Sequence, residues 1–167
     1  MSELQTLLTE FAAERLALVE RHEASARIVS NYDFNNTYQY MISREETHLS
    51  WVRSALAEYD AMLPAAGSAA LPAPVAPRAT RKVEVGAFRS ILEDDARYLG
   101  AFVDRWRPRV ESMEHARHRT MLNVILGESM EHKRFFEQAA AGFEDLLGRR
   151  TAGSARIGAV LPTRWLE

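Results

Sequence analysis

The chain has 167 residues, with 21 basic against 23 acidic side chains and a net charge of −2. Hydrophobic residues make up 47% and charged residues 26%. Those proportions suit one globular domain and exclude a disordered or collagen-like chain. They also lack the basic excess of a nucleic-acid-binding surface. Of the basic residues only Lys82 and Lys133 are lysine, a skew that reads as a composition effect and not as a binding signal. The absence of cysteine removes disulfides, thiolate metal sites and thiol nucleophiles, so any metal must be held by His, Asp or Glu.

The segment from Met1 to Arg15 carries charges at Glu3, Glu10, Glu14 and Arg15, which breaks the apolar stretch a signal peptide needs. No run approaches the ~18 apolar residues of a membrane span. A cytoplasmic protein is expected.

The first helix is predicted to start at Ser2 as N-cap. Leu4, Leu7, Leu8, Phe11, Leu18, Ile28 and Val29 recur at helical spacing along one face. The pattern fails at Ser30-Asn31-Tyr32-Asp33, where Asn and Asp favour a turn or a new cap. The second helix is predicted to run to about Leu63, its stripe formed by Tyr38, Met41, Ile42, Glu45, His48, Leu49, Val52, Leu56 and Tyr59.

The stretch from Pro64 to Thr80 holds four of the six prolines and reads as a semi-extended crossover, 64–82 at its widest. A third stripe follows through Val85, Phe88, Ile91, Leu92, Asp95, Leu99, Phe102, Val103 and Trp106, with Pro108 as a helix boundary. The fourth helix is predicted from about Ser112 to Leu147, with Gly148 as its stop. Its stripe reads Met121, Val124, Ile125, Glu128, then Glu131 or His132, then Phe135, Ala139, Phe143 and Leu146. The fold class is all-α: two helical hairpins joined by a long crossover, an antiparallel four-helix bundle over 1–148, with a tail at 149–167.

Acidic residues interrupt each stripe, and a buried carboxylate costs several kcal/mol unless it is paired or binds a metal. On helix two, Glu45 and His48 lie three apart on one face. On helix four, Glu128 shares a face with Glu131 and with His132. Asp95 is the acid of Glu93-Asp94-Asp95 that falls on the third stripe, and Glu14 sits between Phe11 and Leu18 on the first. His22 reads as a satisfied core histidine, and Tyr38 and Tyr98 as packing residues. No G-x-S-x-G, phosphate-loop or H-E-x-x-H motif is present.

This order of acid, E-x-x-H, crossover, acid and an altered acid–histidine motif resembles the ferritin-like di-iron carboxylate proteins, such as bacterioferritin and the rubrerythrins. Glu14 precedes Glu45 by 31 positions and Asp95 precedes Glu128 by 33, similar to the family's spacing. The stretches Arg44-Glu45-Glu46-Thr47-His48 and Glu131-His132-Lys133-Arg134-Phe135-Phe136 look like its second- and fourth-helix motifs. The resemblance covers roughly residues 4–147. It implies two metal ions, iron with manganese as the substitute, held by Glu14, Glu45, His48, Asp95, Glu128, Glu131 and His132. Glu45 and Glu128 would bridge them. It further implies an oxidoreductase or iron- and peroxide-handling role using dioxygen or peroxide, an external electron donor, and a homodimer. The alternative expectation is a degenerate, metal-free bundle acting as a structural or interaction module, with its inward acids neutralised by Arg or His.

Overall fold

A computed structural model describes residues 2–78 and 85–148. The tail at 149–167 and the end of the crossover at 79–84 lie outside the described residues, as does the side chain of Val85. Four helices follow in order: α1 Glu3–Ile28, α2 Tyr32–Ala57, α3 Arg89–Glu111 and α4 Ala116–Ala140, with a 3-10 turn at Val85–Phe88 before α3. No strand occurs among the described residues.

Local chemistry sets the ends. Ser2 Oγ accepts from the Gln5 backbone N–H, and Asn31 Oδ1 accepts from that of Phe34, so each caps a helix start. Helix α2 stops at Ala57 and not near Leu63. Asp60 adopts φ 54°, and the N–H groups of Ala61 and Asp60 close onto the carbonyls of Leu56 and Ala57. That is a Schellman ending. Helix α4 ends the same way around Gly142, φ 92°, with Phe143 and Gly142 bonding back to Gln138 and Ala139. The stop is therefore Gly142, six residues before the expected Gly148. Pro108 lies inside the last turn of α3 and ends nothing by itself.

Helix α1 packs against α2 and α3, and α4 packs against α3 and α2. Across α1 and α3, Glu10 pairs with Arg109, Glu14 with Arg105 and Arg21 with Asp95, so the two run antiparallel. Across α2 and α4, Arg44 pairs with Glu128 and Glu58 with Arg117, also antiparallel. Each hairpin is antiparallel, so α2 and α3 point the same way and only a long crossover can join them. The core is lined by Leu8, Phe11, Tyr38, Met41, Leu99, Phe102, Trp106, Leu122 and Ile125. Among the described residues no helix is long and apolar enough to cross a membrane.

The inner lines of the helices refine the expected stripes. On α1 the buried line is Leu8, Phe11, Arg15, Leu18, His22, Ser25 and Val29; on α4 it is Leu122, Ile125, Ser129, His132, Phe136 and Ala139. The face of α4 is thus turned from the expected one. Val124 and Phe143 are exposed, and Met121, Glu128 and Phe135 are half-buried.

Candidate functional site

The polar centre of the bundle is built around Arg15. Its alternating spacing of four and three from Phe11, Leu18 and His22 points it inward, where it is fully buried. Its guanidinium reaches three of the four helices' polar groups and ring faces at once. It lies 3.3 Å from Glu45 Oε1 on α2 and 3.0 Å from His48 Nδ1 on the same helix. It donates to Ser129 Oγ on α4 at 3.0 Å and stands over the Phe102 ring on α3.

The hydrogen-bond directions follow from what each group can do. Arginine only donates, so His48 Nδ1 accepts from Arg15, and the His48 Nε2–H donates to Glu128 Oε2 at 2.8 Å. Arg44 closes Glu128 with two bonds of 3.0 and 2.7 Å. On the other side His22 Nδ1 lies 2.9 Å from both oxygens of Glu45; a carboxylate only accepts, so His22 donates. The result is one continuous chain, Arg44–Glu128–His48–Arg15–Glu45–His22, running from a half-exposed rim into the dry interior.

Electrostatics agree with this order. Burial raises the cost of the Glu45 charge, but His22 and Arg15 beside it outweigh that and hold its carboxyl at about 2. Burial, reinforced by Arg15, lowers His48 to about 4, which keeps it the neutral imidazole that the two bonds require. Burial likewise lowers His132 to about 4. Arg44, then His48, holds the Glu128 carboxyl below its ordinary value. Burial pushes the Arg15 guanidinium down while Glu45 and Glu128 oppose it.

The expected ligands are not brought together as one set. Glu45, His48 and His132 meet in the interior and Glu128 reaches their edge. Asp95 is buried but belongs to a second cluster: Arg21 Nε donates to it at 2.7 Å and the Tyr38 hydroxyl at 2.5 Å. Glu14 turns to the α1–α3 rim, where Arg105 and the Trp106 indole N–H bind it. Glu131 is exposed, because the inner line of α4 passes through Ser129 and His132. The inward pair at a three-residue step on α4 is Ser129 and His132, so a hydroxyl stands where a second E-x-x-H would place a carboxylate. Trp106 is fully buried.

These donors do not fit a pair of metals. Two carboxylates of the expected set face elsewhere, Asp95 is consumed by Arg21 and Tyr38, and a guanidinium holds the space between Glu45 and His48. Among the described residues no group of three or more His, Asp or Glu side chains is arranged to hold a metal ion. Two polar atoms do remain without a partner in the interior, His22 Nε2 and His132 Nδ1.

No family model, curated protein or solved structure matches the chain.

Proposed function

We propose that this chain is a ferritin-like bundle whose centre is closed by arginine–carboxylate pairs, and that it serves as a structural or interaction module in the cytoplasm. The observation that carries the reading is Arg15. Its buried guanidinium supplies, from the chain itself, the positive charge that Glu45 needs in a dry interior. Arg21 does the same for Asp95 and Arg44 for Glu128. With each inward carboxylate neutralised, the interior needs no added cation to be stable.

A second reading, a di-iron oxidoreductase handling iron or peroxide, is favoured by one observation. The unpartnered nitrogens of His22 and His132 are free donors of the type iron and manganese take. It requires Arg15 to leave the centre.

Elemental analysis of chain produced with iron supplied separates the two, together with melting in the presence and absence of a chelator. A metal bound only by the folded state raises its stability. The arginine-closed reading expects trace metal and an unchanged midpoint. Stoichiometric metal, lost in a Glu45→Ala, Glu128→Ala variant, together with a midpoint that falls on chelation, would overturn it in favour of the second.

A further inference from the structure

The crossover ends, within the described residues, on Leu71-Pro72-Ala73-Pro74-Val75-Ala76-Pro77-Arg78. Each proline fixes its φ near −65°, and the residues before them, Leu71, Ala73 and Ala76, are steered toward extended backbone. Among the described residues no backbone–backbone hydrogen bond falls within 69–78. Burial repeats every three residues: Leu71, Pro74 and Pro77 are half-buried, and the residues between them are exposed. A three-residue repeat without internal hydrogen bonds marks a polyproline II ribbon. One edge rests on the bundle. Another, carrying Pro72, Val75 and Arg78, faces solvent, with Val75 83% exposed. The ribbon is also pinned from inside: Arg21, while closing Asp95, donates through Nη1 to the Pro72 carbonyl at 2.6 Å. An edge held this way loses little conformational freedom on docking.

At the end of the bundle where α2 begins lies a groove of about 230 Å³. Tyr32, Leu146 and Leu147 give it apolar walls, and Asp33 and Asp145 give it negative charge. Tyr32 is 72% exposed. Proline-rich ribbons are read by aromatic-lined grooves, and carboxylates are the natural partners of arginine. Both aspartates already take part in interactions of their own chain; what a docking arginine meets is their charge. The Arg21 clamp holds a chain's own ribbon over the α1–α3 seam, away from a groove built on α2 and the segment after α4.

We propose that copies of this chain associate by seating the 71–78 ribbon of one against the Tyr32 groove of another, Pro72 and Val75 on the apolar walls and Arg78 toward Asp33 and Asp145. The proposal deepens the interaction-module reading and rests on it. A ribbon this short buries less than the ~1,600 Å² of a stable complex, so the association is weak and concentration-dependent.

Sedimentation velocity on the full chain, from micromolar to near-millimolar concentration, tests it. The mean mass should rise with concentration. Arg78→Glu and Val75→Asp, both at exposed positions, should each weaken association tenfold or more while leaving the melting midpoint unchanged. An Asp33→Lys, Asp145→Lys chain should also fail to associate with itself, yet mixing it with the Arg78→Glu chain should restore association by charge exchange. A wild-type chain that stays monomeric throughout, including one whose own tail covers the groove, overturns the proposal. So does association that Arg78→Glu and Val75→Asp leave intact. Metal content plays no part in these readouts, so failure here leaves the arginine-closed reading standing.

Discussion

Arg15 carries the largest single burden in the interior. Removing one partner of a buried ion pair strands the other, at about 3–5 kcal/mol. Arg15→Ala is expected to lose that much, because Glu45 keeps only His22 and His48 Nδ1 loses its donor. Glu45→Ala should cost a similar amount by stranding Arg15 and His22. Converting Arg15 and Glu45 together to leucine should cost clearly less than the sum of the two single changes, as coupled sites do; urea unfolding of the three variants checks this. The histidines set the acid response. His48 and His132 sit near 4 in the fold against an ordinary value of about 6.5. Between those limits the unfolded chain binds protons that the folded chain refuses, so stability falls as pH drops from 6.5 toward 4, by up to about 3 kcal/mol per histidine. Glu45, held at about 2, adds a second loss below pH 4.5, where the unfolded carboxylate takes a proton first. Thermal midpoints at pH 7.5, 5 and 3 should fall in two stages, and His132→Phe should shrink the first. A midpoint flat between pH 7 and 5 would contradict the placement of these imidazoles.

At the scale of single helices, much was readable beforehand. The caps at Ser2 and Asn31, the turn between α1 and α2, the proline-rich crossover and the inward placement of Glu45, His48 and Asp95 all follow from spacing and turn chemistry. What stayed hidden has a common cause: residues were sorted inside or outside by polarity before their phase was measured. Arg15 fits the same alternating step as Phe11, Leu18 and His22, but a long cationic side chain was assumed to face water, and Glu14 took its place. On α4, Ser129 keeps phase with Ile125, His132 and Phe136. Its hydroxyl is satisfied by the Ile125 carbonyl at 2.7 Å and by Arg15, so a small polar residue sits in the core without penalty. Reading Glu128 as inward turned the whole helix toward Val124 and away from Leu122. The α4 stop was missed because Gly148 was preferred over Gly142, although Gly142 is the glycine whose positive φ the ending uses. Gly142→Ala is expected to destabilise the chain by about 1 kcal/mol. Nothing within 4 Å would crowd the added methyl, so the cost is conformational and a denaturant titration should show it at unchanged slope.

For the whole molecule, the arrangement of four helices with one long crossover was legible, and its interior chemistry was not. Alternating apolar and polar positions fix how helices face one another. They do not say whether a buried carboxylate is met by a cation from solution or by a guanidinium from the next helix. That choice rests on the phase of Arg15, Arg21 and Arg44 against Glu45, Asp95 and Glu128. The ribbon at 71–78 and the groove at Tyr32 then give the molecule two exposed features that the closed interior does not use. The most direct test of the closed interior is a crystal structure from crystals soaked in ferrous or manganous ion, with diffraction recorded at the metal's absorption edge. The account predicts no anomalous peak among Glu45, His48, Glu128 and His132, with the Arg15 guanidinium in hydrogen-bonding contact with Glu45 and His48. Two anomalous peaks bridged by Glu45 and Glu128, with Arg15 swung out of the centre, would contradict it.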